Sequence, residues 1–188
     1  MATKERSRRA SSVAWSEREP APIQLFQRRR WVDPDRLAEG LAAFVQQLAW
    51  INEHTGLEMA AWRRTDGHHR GAILATTTYD DHGWFLTEVA RLQTLIDYGP
   101  INEATAALTV GEDAFERWDA SAELPIYWDL GDAFTQMTVP EGVPSPAEGA
   151  TAWRNAEGAE GMIAWLLDSD GTTAVTPGGR RENWTRSH

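Results

Sequence analysis

Residues 57–97 constrain this chain most, because they read as strand, tight turn, strand and amphipathic helix in unbroken succession. Leu57–Arg64 and His69–Tyr79 flank Asp66-Gly67. Asp-Gly is the dipeptide a two-residue type I′ turn prefers, since both central residues need positive φ. With that turn setting the register, Thr65 faces His68, Trp62 faces Gly71 and Met59 faces Leu74. One face of the ribbon then carries Leu57, Met59, Ala61, Ala72 and Leu74, and the other Ala60, Trp62, Ile73, Ala75 and Tyr79. Both faces are apolar, so both need a cover. Helices can cover one. The other requires a second sheet, from this chain or from a partner chain.

The chain of 188 residues is long enough for one domain with a real core, or one domain with tails. It contains no cysteine, which excludes disulfides and thiolate chemistry and fits a reducing cytoplasm. No apolar run reaches transmembrane length. Arg8-Arg9 matches a twin-arginine signal, but no apolar stretch follows, so export is not expected. A net charge of -10 argues against nucleic acid or an anionic membrane as partner. Ten tryptophans leave two readings open: a Trp-rich core and interface, or an aromatic pocket for a flat ligand.

Residues 1–22 are polar, without periodicity, and read as a flexible arm. Ile23–Val32 reads as a strand, with Arg28–Arg30 as a solvated strand end. Asp33-Pro34 supplies a helix cap and a proline at the first helical position. Leu37, Leu41, Phe44, Val45, Leu48 and Ile51 then form one apolar stripe, closed by Gly56. Such a helix spans roughly 30 Å, enough to cross a four-stranded sheet. Asp80 or Asp81 caps a second helix carrying Phe85, Val89, Leu92 and Ile96, which Gly99-Pro100 ends. Ile101–Leu108 and Glu112–Trp118 read as helical insertions, Leu124–Leu130 as the closing strand, and Phe134–Val139 as a further strand. Pro125 places the closing strand at an edge or a strand start. Val139–Pro146 reads as a linker, Thr151–Leu167 as a docking segment and Asp168–His188 as a loose tail. No internal repeat is evident. The expected division is an arm (1–22), a folded α+β domain (23–139), and a linker with a partly disordered C-terminal extension (140–188).

The β-α-β-β-α-β order, with Asp33-Pro34 opening the first helix and Asp66-Gly67 closing the central hairpin, resembles the dimeric α+β barrel superfamily. That group includes antibiotic-biosynthesis monooxygenase-like proteins and small polyketide cyclases. The resemblance covers roughly residues 23 to 130. It implies a ferredoxin-like antiparallel sheet whose open face packs on a second copy, hence a homodimer. The monooxygenases present an Asn and a Trp to a polyphenol, and Trp84 on the second helix is the one counterpart here. The haem-degrading branch needs a histidine deep in its second helix, whereas His82 lies in the first turn.

Asp80-Asp81-His82-Gly83-Trp84 is the densest polar and aromatic cluster. A histidine beside a carboxylate can be held in one tautomer and act as a base near neutral pH, so Asp81, His82 and Trp84 are the catalytic candidates. A helix cap followed by a surface histidine is the other reading. Arg63 faces Arg70 in the expected register, which suits an acidic or enolate-bearing ligand between them, or a carboxylate of the protein. Trp62, Tyr79, Tyr98 and Asn52 complete the candidate substrate-binding set, though each is equally suited to packing. His68 and His69 point to opposite strand faces and make a poor metal pair. With no phosphate-cradling loop and no nucleophile elbow, an enzyme of this kind would need no resident cofactor or would borrow a diffusible one. Two functions remain: a small cyclase or cofactor-independent oxygenase acting on an aromatic, polyketide-like molecule, and a non-catalytic binding or accessory protein using the same Trp surface.

Overall fold

Alternation of inward and outward side chains begins at β1 (Gln24–Trp31), a strand of eight residues. Its exit is turned by Asp33, whose carboxylate accepts a hydrogen bond from the Asp35 amide at 3.0 Å while Pro34 starts a short 3-10 turn. The helix α1 (Leu37–His54) follows and buries Phe44, Gln47, Leu48 and Ile51 along one stripe. Next come β2 (Ala60–Arg64), β3 (Ala72–Tyr79), α2 (His82–Thr94), α3 (Tyr98–Ala106) and β4 (Ala114–Ala120). Four strands complete the chain: β5 (Ala133–Pro140), β6 (Thr151–Glu157), β7 (Met162–Leu167) and β8 (Arg180–Ser187). This computed structural model describes residues 23–67, 71–121, 130–144, 150–167 and 179–188.

All eight strands join into a closed barrel in the order β1-β3-β2-β8-β5-β7-β6-β4, and every neighbouring pair is antiparallel. Closure leaves no bare sheet edge, so the ladder polar groups find partners around the whole ring. The helices α1 and α2 lie on the outer face of the first four strands. There Phe44, Leu48, Ile51, Phe85 and Leu92 pack on Ala61, Ile73, Ala75 and Tyr79. The inner face is filled by Leu25, Trp62, Leu74, Trp118, Phe134, Trp153 and Trp184, among others. Both sides of the ribbon are thus covered, and the second sheet comes from the same chain. The resemblance had implied a second copy for that role.

Within each half the strands repeat one arrangement, β4-β1-β3-β2 and β8-β5-β7-β6. Pairing registers repeat as well. Leu25 faces Trp118 and Gln27 faces Glu116, as Phe134 faces Trp184 and Gln136 faces Glu182. Trp62 faces Leu74 as Trp153 faces Ala164. Trp62, Trp118, Trp153 and Trp184, the four bulkiest fully buried side chains, are therefore two residues each seen twice. Gln27 and Gln136 meet across the interior at 2.8 Å, and the Trp118 indole N–H donates to the Gln27 carbonyl oxygen at 3.2 Å. Towards the end of the barrel where β1 finishes, Arg29 bridges Glu116 at 3.2 Å and Glu182 at 2.8 Å. Arg64 holds the second oxygen of Glu182 at 3.1 Å. These charges are paired as burial demands.

Several expectations are corrected. Trp62 faces Leu74 and Arg63 faces Ile73, three positions away from the predicted register. Gly67 has φ 70° but Asp66 is not left-handed, so the loop is not a type I′ turn. An odd slip exchanges faces between the strands. Trp62 therefore points inward with Ala72 and Leu74, whereas Ala61 points outward with Ile73 and Ala75. Residues 114–120 form a strand instead of a helical insertion. The segment 140–188 is no appendage, because β6, β7 and β8 are barrel staves. The chain carries an internal repeat after all. Arg29 and Arg30 are buried rather than solvated, with Arg30 bonded to Asp113 at 2.9 Å and Gln47 at 3.3 Å. Burial and the neighbouring Arg28 hold the Arg30 guanidinium below its usual pKa. The expected arm (1–22), His68, His69, Arg70 and all but Leu130 of the expected closing strand lie outside the described residues.

Candidate functional site

A cleft of about 870 Å³ opens at the end of the barrel where β1 and β2 begin and β3 ends. Its strand wall is built from Ile23, Trp62, Thr76, Leu130 and Arg186. The opposite wall is formed by the last turn of α1 and the first turn of α2, with Asn52, Gly56, Tyr79, Asp80, Asp81 and Trp84. Secondary structure dictates this placement. β3 ends on Tyr79, Asp80 follows as an exposed link, and Asp81 caps α2 by accepting the Trp84 amide at 3.0 Å. Trp84 lines the cleft and is 40 % exposed. A Cβ on Gly56 would lie 3.0 Å from the Trp84 ring, so glycine at the end of α1 is what lets the indole settle there.

Five of the eight candidate residues meet on this cleft: Trp62, Tyr79, Asp81, Trp84 and Asn52. Asn52 has its amide committed elsewhere. It donates to the Met59 carbonyl at 2.9 Å and accepts from the Met59 amide at 2.7 Å, clasping α1 to the entry of β2. Trp62 is fully buried, its indole N–H bonded to the Thr76 hydroxyl at 2.8 Å and its ring edge-on to Phe134 at 4.8 Å. His82 is not among the residues that line the cleft. Its Nδ1 is 3.3 Å from the Tyr79 hydroxyl, and its ring lies 6.1 Å from Phe85. Asp81 serves as a cap, so the expected Asp81–His82 pair gives way to a Tyr79–His82 pair. Burial pushes the Tyr79 phenol up to about 12, with Asp119 and Glu157 adding to the rise against Arg117. At neutral pH this hydroxyl is a proton donor. Arg63 is exposed on the outer face of β2, opposite Ile73, and does not reach the cleft. Tyr98 stacks on Trp50 at 6.1 Å, packed among the helices.

Sequence reasoning missed Arg186 and Thr76. Arg186 stands in the segment read as a tail. Its guanidinium lies 5.6 Å over the Trp62 ring and donates to the Gly131 carbonyl at 3.3 Å. A signal existed in the chain itself, since Glu182-Asn183-Trp184 repeats Glu116-Arg117-Trp118 and sets Arg186 two residues on, on the inner face. Among the described residues, no group of three His, Cys, Asp or Glu could hold a metal ion. No described helix is long and apolar enough to cross a membrane.

No protein-family model and no curated protein matches the chain. Solved structures do match in fold. A candidate monooxygenase from Fusobacterium nucleatum aligns with TM-score 0.53 at 12% identity, over 88% of this chain and 93% of that one. One from Lactobacillus acidophilus aligns with TM-score 0.53 at 7% identity, over 88% and 94%. The cofactor-independent oxygenase SnoaB from Streptomyces nogalater covers 56% of this chain and 99% of its own, at 22% identity and TM-score 0.43. At these identities the likeness is one of fold: an antiparallel α+β architecture shared with monooxygenase-like proteins.

Proposed function

We propose that this protein is a small enzyme, a cyclase or cofactor-independent oxygenase, acting on a flat aromatic, polyketide-like substrate held in the barrel-mouth cleft. The observation that carries the reading is the cleft of about 870 Å³ lined by Trp84, Tyr79 and Asp80, with His82 Nδ1 3.3 Å from the Tyr79 hydroxyl. Exposed Trp84 offers an aromatic face to a planar ring, while Trp62 lies fully buried in the strand wall with the Arg186 guanidinium over its ring. The neutral Tyr79 hydroxyl can donate to a substrate oxygen, and His82 behind it can exchange that proton. Asp80, exposed at the rim, is a carboxylate able to take a proton from an activated carbon or a phenol. The resulting enolate can close on a carbonyl of the same molecule or react with dioxygen. The two fold relatives described as candidate monooxygenases are in keeping with this chemistry.

Calorimetric titration with hydroxylated anthrones and naphthols, followed by product analysis under air and under nitrogen, tests the reading. Trp84→Ala should weaken binding about tenfold, the worth of one stacked ring at the upper end of the ~0.5–1.5 kcal/mol range. Because Trp84 is 40 % exposed, the melting temperature should barely move. Failure of every planar aromatic to bind the wild-type protein refutes the enzyme reading and favours an accessory role.

A further inference from the structure

Asp81 fixes the backbone of Trp84 by accepting its amide at 3.0 Å, but no described residue bonds to the indole N–H. The position of the ring is set instead by what it rests on. That seat is Gly56, where an added Cβ would lie 3.0 Å from the indole. Gly56 belongs to the loop 55–59 between α1 and β2. One end of the loop is tied by the Thr55 hydroxyl, which donates to the Ile51 carbonyl at 2.8 Å, and the other by the Asn52 clasp on Met59. Between these ties the Gly56 amide donates to Glu88 Oε2 at 2.8 Å. Among the described residues this is the one hydrogen bond between α2 and the loop.

Glu88 stands four residues after Trp84, one helical turn on, so both side chains leave α2 on the same face. The glycine lies against the pair: the Cβ that would crowd the indole would also stand 3.7 Å from the Glu88 carboxylate. The Glu88 side chain is 12 % exposed, so its bond to the amide is both charge-assisted and shielded. Arg91 approaches the same oxygen at 3.4 Å from an exposed position and contributes little. Glu88 is not among the residues that line the cleft, and any effect it has there passes through Gly56 and Trp84. A ring with no polar anchor moves among rotamers unless its neighbours fix it. A ligand that stacks on a moving ring must immobilise it and loses affinity by doing so.

We infer that Glu88 is a positioning residue of the cleft: by holding the Gly56 amide it keeps that glycine under the Trp84 ring and presents the indole as a fixed stacking face for a flat aromatic ligand. The inference rests on the aromatic-cleft reading and adds to it the residue that organises the stacking ring before the ligand arrives.

The test joins fluorine NMR of the full chain carrying fluorotryptophan with calorimetric titration of alizarin, a planar hydroxylated aromatic. The Trp84 resonance is the one missing from Trp84→Phe. In ligand-free Glu88→Ala that resonance should shift towards the position of a solvated indole and sharpen, while the other tryptophan resonances stay in place. Alizarin affinity should fall roughly two- to tenfold, the cost of ordering one side chain. Glu88→Gln keeps an oxygen able to accept the Gly56 amide and should restore both readings. Gly56→Ala keeps the carboxylate but fills the seat, so it too should move the Trp84 resonance, and it carries the test should Glu88→Ala not fold. This pattern supports the assignment. A Trp84 resonance unmoved in folded Glu88→Ala overturns it, as does a glutamine variant no better than alanine, or alizarin affinity unchanged while the resonance moves. Alizarin that fails to bind wild-type protein defeats the cleft reading alone, since the resonance shifts still decide whether Glu88 seats the indole.

Discussion

Trp62 and Trp184 invite a paired experiment, because both are buried while only one has a hydrogen-bond partner among the described residues. The Trp62 indole N–H donates to Thr76 at 2.8 Å, and the Trp184 N–H has no acceptor there. Replacing either by phenylalanine leaves a void of roughly 40 Å³, which at ~24 cal/mol per Å³ costs about 1 kcal/mol. Each ring also carries an arginine over its face, Arg186 on Trp62 at 5.6 Å and Arg29 on Trp184 at 5.7 Å. That contribution nearly cancels between the two variants. The hydrogen-bond term does not cancel. Trp184→Phe removes a buried unpaired donor and recovers about 1–3 kcal/mol, so its stability should hold or rise. Trp62→Phe gives up a hydrogen bond worth about 1 kcal/mol and strands a buried hydroxyl, for a total loss of about 2–4 kcal/mol including the void. Urea unfolding followed by far-ultraviolet circular dichroism, with melting curves alongside, measures the difference. Equal midpoints for the two variants, or a greater loss at Trp184, would refute the reasoning.

Two further outcomes follow from the backbone and from a buried phenol. Gly158 has φ 90°, and a Cβ there would run into the Phe115 carbonyl oxygen, whereas Gly142 at φ 94° has open space around it. Both alanine variants incur left-handed strain of about 1–3 kcal/mol, and only Gly158→Ala adds the clash, so its melting temperature should fall further. Tyr79 titrates near 12 in the folded protein against an ordinary value of 10. The unfolded chain therefore loses this proton first, and stability present below pH 10 is lost progressively as pH rises towards 12. Of the three tyrosines, one should ionise late in an ultraviolet titration, and Tyr79→Phe should abolish the late step and flatten the alkaline loss of stability. An unchanged titration in that variant would assign the late phenol elsewhere.

The first half of the molecule was legible because its signals are local. Asp33-Pro34 and Asp81 cap their helices whatever the rest of the chain does, and the stripe of Phe44, Leu48 and Ile51 has one possible burial face. Register was less legible, since Asp-Gly only favours a turn, and the seam with β8 and the inner packing of Trp62 outweigh that preference. The second half escaped because residues 141–150 join β5 to β6, where residues 32–59, with α1, join β1 to β2. Without the helical period, the strands alone looked like linker and tail. Yet Ala61-Trp62-Arg63 returns as Ala152-Trp153-Arg154, and Glu116-Arg117-Trp118 as Glu182-Asn183-Trp184. Read as a pair of doublets, these would have placed Arg186 beside Trp62. The Tyr79–His82 pair was within reach at a spacing of three residues, but the cap role of Asp81 left His82 a different partner from the one its neighbour suggested.

Joining both sheets in one polypeptide changes how the barrel responds to dilution. Two sheets on separate molecules would part once their concentration fell below a dissociation constant. Here residues 121–132 tether the second sheet to the first, at an effective concentration on the order of millimolar. The mouth of the barrel, with a wall drawn from both sheets, therefore stays assembled at nanomolar protein, where a titration reports ligand affinity alone.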